Sequence, residues 1–294
     1  MTAASTSRTT PIDQLPPPEA LAAMLASQVA AAQIVAQALP AIEAAAVKVA
    51  TALGLGHRLT YAAAGSSGLM ALADGCELPG TFRIPQSQIR IAMAGGVPSD
   101  GIMPGDTEDD TASAQAVTAD MTPDDVVIVL SASGTTPYAL VVAQTARARG
   151  ACVVAIANQP GSALLSLADI AICLPTAPEV VSGSTRLGAG TAQKIALNMM
   201  STLAGVLLGH VHDGLMVNLN PDNIKLRKRA AAIVMQITGA ADHEAEAALV
   251  QAGYDTKQAV LIASGASADA AQRLLAAHHY RLRGCLAALH AAPD

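Results

Sequence analysis

The 294-residue chain has no tryptophan, a single phenylalanine (Phe82) and four tyrosines, so aromatic residues make up only 2% of it. A core without large rings has to be packed at close range from Ala, Val, Leu, Ile and Met, and apolar residues reach 52%. Charge is scarce too, at 14% of residues with a net value of −6. That balance gives no basis for nucleic acid or an anionic membrane as partner, so any anion must be bound locally. The four cysteines, Cys76, Cys152, Cys173 and Cys285, are scattered without a CxxC pair. Neither a zinc site nor a disulfide framework follows, and a reducing cytoplasm fits. The first residues, "MTAASTSRTT", contain no apolar segment of the signal-peptide type and read as a disordered lead-in over residues 1–15. Mean hydropathy is +0.40. The most membrane-like run, Ile195 to Gly209, falls short of the roughly 20 residues a spanning helix needs and is interrupted by Asn198, Ser201 and Thr202, so it predicts a buried core helix. No Walker GxxxxGK[ST], no GxGxxG after a first strand and no GxSxG elbow occur.

What the chain does contain is alternation. An Ala-rich stretch from Pro16 to about Leu53, broken by Pro40, predicts two helices. Five short apolar runs follow, "RLTYAAAG", "IRIAMAGG", "DDVVIVL", "ACVVAIAN" and "ADIAICLP", with helical or turn segments between them. Strands alternating with helices predict a mostly parallel sheet covered on both faces, a three-layer α/β/α domain over residues 16–223. Such sheets bind ligands outside the C-terminal ends of their strands. Beyond Asn223 the pattern becomes helical units separated by Gly and polar caps, predicting a small all-helical appendage over 224–294. The basic run Lys225 to Arg229 reads as a solvated helix face.

Two loops carry chemistry. In "VVIVLSASGTTPYALVVAQTARARG" a β-branched strand runs into Ser131-Ala-Ser-Gly-Thr-Thr136, and Pro137 then suits a first helical turn. Unpartnered N–H groups and the helix dipole make such a junction an anion site. The hydroxyls of Ser131, Ser133, Thr135 and Thr136 would add donors for a phosphate, although the same residue types also serve as plain helix caps. An earlier loop of the same kind, "AAAGSSGLM", offers Gly65, Ser66 and Ser67, and two such loops strengthen the phosphate reading. Glu77 in "DGCELPGTF", just after the first loop and its helix, and Glu108 in "PGDTEDD" are candidate acid–base groups, though position alone favours ordinary exposed loop carboxylates. His210 and His212 in "GHVHDG" stand at a spacing that would separate them on a helix, so no metal site is expected.

The segments "SASGTTP", "PEVVSGSTRLGAGTAQKIALNMMST" and "GLMVNLNPDNIKLRKRAAAIV" resemble the N-acetylmuramic acid 6-phosphate etherases, members of the sugar isomerase (SIS) domain superfamily, and the likeness runs from about Ile12 to the C-terminal helices. The resemblance implies an SIS fold, a cytoplasmic enzyme without metal or redox cofactor, and a homodimer with sites near the subunit interface. It implies a sugar phosphate at the sheet's C-terminal edge, its phosphate on the Ser/Thr loop. The chemistry it implies is cleavage of the C3 lactyl ether by elimination and hydration, with Glu108 as base at C2 and Glu77 as acid to the leaving lactate. One carboxyl must then be ionised and the other protonated at one pH, a split that burial and mutual repulsion can produce.

Where the family usually has Arg and Lys, this chain has Leu69 and Gly188, two cations fewer near an anionic ligand. Arg186 and Lys194 are candidates to replace that charge, in a block expected to begin a long core helix at about Gly190. The exact amino-sugar phosphate stays open at this stage. Two rivals also stay open: an aldose–ketose isomerase, and a non-catalytic sugar-phosphate sensor resembling the glucokinase regulatory protein.

Overall fold

The computed structural model describes residues 10–103 and 105–291. Most of the expected lead-in therefore lies outside the described residues, while Ile12–Gln14 form a short 3-10 turn. Helices α1 (Pro17–Ile34) and α2 (Leu39–Gly54) follow. The break between them is the 3-10 turn Val35–Ala38, and Pro40 stands in the first turn of α2, where its missing N–H is not needed.

The chain then alternates as β1 (Leu59–Ala63), α3 (Gly65–Phe82), β2 (Ile89–Met93), α4 (Thr111–Val117), β3 (Val126–Ser131), α5 (Pro137–Ala148), β4 (Cys152–Ala157), α6 (Ala163–Leu167), β5 (Ile170–Cys173) and α7 (Gly188–Leu207). All five strands are parallel, in the order β2-β1-β3-β4-β5. Side-chain parity divides the interior. Leu59, Tyr61, Ile128, Leu130, Val154 and Ile156 face one layer, which includes α2, α3 and α7. Ala62, Val127, Val129, Val153 and Ala155 face the other, with α5 and α6. The result is the three-layer arrangement expected, with strands apolar on both faces because both are covered.

Gly209 ends the α7 segment, and a two-strand hairpin follows, β6 (Val211–His212) and β7 (Leu215–Met216). Helices α8 (Ile224–Thr238), α9 (Asp242–Gln251), α10 (Thr256–Ala263), α11 (Ala268–Ala277) and α12 (Leu282–Ala291) enclose a second apolar core with Val217 and Leu219. The sequence predicts one helical unit from Ser267 to Leu289; the structure divides it at His279 and Tyr280, both with positive φ and with no Gly or Pro to announce the break. His210 and His212 lie in and beside the hairpin, not on a helix. Among the described residues no group of three His, Cys, Asp or Glu side chains could hold a metal ion. Burial and the nearby Lys257 push the His210 imidazole down to about 3.

Candidate active site at the ends of β1 and β3

Strand register fixes where the two loops meet. Ala63, the last residue of β1, pairs with Leu130 of β3, so the loops opening at Ala64 and Ser131 leave the sheet side by side. β1 lies between β2 and β3, and its own connection, α3, packs on one face while that of β3, α5, packs on the other, leaving a crevice between β1 and β3. The crevice is a cleft of about 260 Å³ lined by Ser66, Ser67, Glu108, Ser131, Ser133 and Thr136, with Gly183 and Thr185 from the segment before α7.

Each loop is ordered by its own hydrogen bonds. Ser131 Oγ accepts from the Gly134 N–H at 3.0 Å and lies 2.8 Å from Thr136 Oγ1. Ser133 Oγ accepts from the N–H and hydroxyl of Thr135, at 3.2 and 3.0 Å. Thr135 is spent on that turn and does not line the cleft, unlike its three hydroxyl neighbours. Gly134 has φ 65, and a Cβ there would run into Ser162, so the loop closes only with glycine. In the other loop α3 starts at Gly65 without a side-chain cap, and Ala64, Ser66 and Ser67 at that start line the cleft.

Glu108 is held between these parts. Its backbone carbonyl accepts from the Tyr138 N–H at 2.9 Å, pinning it to the start of α5. Its carboxylate lies over Gly65, where an added Cβ would stand 2.8 Å from Oε1. Asp110 caps α4 two residues later, accepting from the Ser113 N–H at 3.0 Å, and that bond lowers its pKa. Burial pushes the nearby Tyr138 phenol up to about 12. Glu108 itself stays exposed at the cleft mouth.

Other residues singled out in the sequence fall elsewhere. Glu77 does not follow the first helix but lies inside it, because α3 continues through Pro79 to Phe82, and its side chain is exposed. Neither carboxylate is buried. Helix α7 begins at Gly188, two residues before the expected start. Arg186 and Lys194 are exposed and neither lines the cleft, although Thr185 beside Arg186 does. The lining holds no Lys, Arg or His, so the donors it offers an anion are backbone N–H groups at the helix starts and hydroxyls. At the start of α7 the N–H groups of Gly188 and Ala189 each donate to Glu179 at 2.9 Å.

Two polar groups that sequence reading passes over hold the frame. Asp74, 4% exposed, accepts from Tyr61 at 2.7 Å, Asn198 at 2.7 Å and Ser201 at 2.9 Å, tying α3 to β1 and α7. Gln193 donates to Asn158 at 2.9 Å, and Asn158 donates to the Leu174 carbonyl at 3.0 Å. A carboxylate in "ALADGCE" and amides in "VVAIANQ" and "GTAQK" carry no sequence signal beyond polarity within apolar segments.

Comparison with known proteins bears on the whole chain. The SIS domain family model matches residues 103–203. N-acetylmuramic acid 6-phosphate etherase of Deinococcus radiodurans is 42% identical over 267 residues, 90% of this chain and 88% of that protein. The etherase of Streptomyces avermitilis is 41% identical over 281 residues, 94% and 90% of the two chains. In fold, the chain is similar to a crystal structure from Bacteroides fragilis provisionally assigned as a phosphosugar isomerase, with a TM-score of 0.52, 17% identity, and coverage of 67% of this chain and 93% of that one.

Proposed function

From the premise that this chain belongs to the N-acetylmuramic acid 6-phosphate etherase family, we propose the residue roles by which its cleft works. The activity is that of a carbon–oxygen lyase: the C3 lactyl ether of N-acetylmuramic acid 6-phosphate is cleaved to N-acetylglucosamine 6-phosphate and D-lactate. The phosphate sits on Ser131, Ser133 and Thr136, facing Ser66 and Ser67 and the start of α3. Glu108 stands beside that anchor and takes the C2 proton of the open-chain aldehyde. The electron pair released at C2 expels the C3 oxygen, which leaves as lactate with a proton from Glu77. Water then adds to C3 of the unsaturated aldehyde, giving one proton to Glu77 while C2 regains one from Glu108. Both carboxyls end in their starting states.

The observation that carries this reading is the position of Glu108, fixed by Tyr138 and Gly65 where the two hydroxyl loops meet. We assign residues 16–223 to the sugar-phosphate domain and 224–294 to a helical subdomain. The protein works as a cytoplasmic homodimer in amino-sugar catabolism, the chemistry by which peptidoglycan fragments are recycled.

Glu108→Gln tests the role of the base, since it keeps the shape but cannot accept the proton. Exchange of the C2 proton with deuterated solvent and lactate release should fall together, by about 100-fold to 10,000-fold, with phosphate binding retained. Undiminished exchange would remove Glu108 from the role. Exchange that yields a ketose and no lactate in the unaltered protein would make it an isomerase, and tight binding without exchange would make it a sensor.

A further inference from the structure

Two short stretches that the catalytic cleft leaves unused, "GHVHDG" at residues 209–214 and "HHYRLRG" at 278–284, meet at one place. The first forms the hairpin after α7, and the second joins α11 to α12. Gly209 has φ 72, and a Cβ there would stand 3.0 Å from the Arg281 side chain and 3.3 Å from the Tyr280 carbonyl oxygen, so the second stretch lies directly against the first. Arg281 donates to the Leu207 carbonyl at 2.8 Å, and Lys257 donates to the Tyr280 carbonyl at 3.0 Å. The junction is thus fixed from both sides.

Between the two stretches is a cleft of about 550 Å³ that shares no lining residue with the hydroxyl cleft. Its polar side chains are His212, His278, His279, Arg281 and Arg283, and no Asp or Glu lines it. In a chain with 17 Lys and Arg, 7 His and a net charge of −6, that is a marked concentration of N–H donors. Asp213 pairs with Arg283 at 2.6 Å from outside the lining, and the guanidinium keeps further N–H groups to offer. Leu282, Arg283 and Gly284 of the first turn of α12 also line the cleft, and the leading N–H groups of a helix have no acceptor within it. His212 gives an independent sign of a ligand. It is only 8% exposed, and among the described residues its ring makes no hydrogen bond, since Asp213 Oδ2 stands 3.6 Å from Nε2. A buried polar group seldom lacks a partner, and the open space that His212 lines is this cleft.

We infer that the cleft is a second anion site, built for a phosphate group and large enough to take it as the phosphomonoester of a small sugar. Arg281 and Arg283 supply the charge, His212 and His278 supply ring N–H donors, and the start of α12 adds its dipole. Within one chain the ligand stands apart from the catalytic chemistry. Thr185, just before α7, lines the hydroxyl cleft, whereas Val206 and Gly209, at the other end of α7, line this one. The 20 residues of that helix, at about 1.5 Å each, set the two sites about 30 Å apart. What the ligand does here is join α12 to the last turn of α7, and so the helical subdomain to the sheet domain.

Histidine ring signals in nuclear magnetic resonance test the inference. Protein carrying isotope-labelled histidine is titrated with inorganic phosphate and, separately, with N-acetylglucosamine 6-phosphate, at an ionic strength held constant with chloride, and His212→Gln and His278→Gln assign the signals. The His212 and His278 signals should shift and saturate in the wild type and equally in Ser131→Ala. Arg283 is 74% exposed, so Arg283→Glu should unfold at the wild-type temperature yet bind at least 10-fold more weakly at this cleft. If that variant misfolds, Arg283→Gln carries the same comparison. Equal dissociation constants for the two probes assign the cleft to free phosphate and a tighter one for the sugar phosphate assigns it to a phosphomonoester; both uphold the anion site. Signals that drift without saturating, or that respond alike to chloride, mean an adventitious ion only and overturn it. So does saturation that disappears in Ser131→Ala or survives Arg283→Glu unchanged. No turnover is read, so the outcome is independent of the etherase reading.

Discussion

Gly65 shows how much a single position can decide. Its φ of 55 is strained for any residue with a side chain, and a Cβ there would stand 2.8 Å from Glu108 Oε1. Gly65→Ala should therefore displace the base, lowering lactate release at least 10-fold while costing about 1–2 kcal/mol of stability. Steady-state assay beside thermal unfolding separates the two effects. Ser131 is the hub of the other loop, bonded to Gly134 and Thr136. Ser131→Ala should remove a charge-assisted bond to phosphate of about 1.5–3 kcal/mol, weakening sugar-phosphate binding by one to two orders of magnitude in calorimetry. At this scale the sequence was legible where chemistry and backbone need coincide, as in Ser131, Ser133 and Gly65. Glu77 was legible as a residue type in a motif but not as a place, because nothing in "ADGCELPGTF" says that the helix continues past it. Asp74 and Gln193 were illegible, since their partners are distant in sequence and known only once α3, β4 and α7 pack.

At the scale of elements, the five strands and the helices between them could be read from apolar runs, because strands buried on both faces need nearly continuous Val, Ile, Leu and Ala. The break between α11 and α12 could not be read, because Tyr280 adopts φ 57 against its own preference. Its carbonyl is held by Lys257 Nζ at 3.0 Å, and Lys257 is only 2% exposed. Burial draws the Lys257 ammonium down to about 8, against the partial opposition of Asp255. Between pH 8 and the ordinary lysine value near 10.5, the unfolded chain holds a proton that the folded chain has released. Stability should therefore rise with pH across that window, while below pH 8 the cost of burying the charge is fully present. Urea unfolding at pH 7.5 and pH 10 should show the rise in the wild type and lose it in Lys257→Met. Asp74 belongs to this scale as well, since it joins three elements. Asp74→Ala leaves the buried Tyr61 hydroxyl and the half-buried Asn198 amide without their partner and should cost about 3 kcal/mol.

At the scale of the whole molecule, the outer face of α1, α2 and α7 has the composition of an interior and the exposure of a surface. The 38-residue stretch Pro17–Gly54 has the length and hydropathy of a membrane span, yet α2 packs on α7 and the sheet through Ile42, Ala45 and Val49. On the homodimer proposed above, replacing both Leu21 and Leu25, which are 67% and 66% exposed, with Glu should yield a monomer in sedimentation, and a dimer unchanged by the pair would place the interface elsewhere. The central claim, that this chain cleaves an ether by elimination and rehydration, is tested most directly by isotope. N-acetylmuramic acid 6-phosphate is incubated with the protein in oxygen-18 water, and both products are analysed by mass spectrometry. Elimination and hydration place the heavy oxygen on C3 of N-acetylglucosamine 6-phosphate and leave the lactate unlabelled. Heavy oxygen in the lactate, or a sugar product without it, would contradict the account.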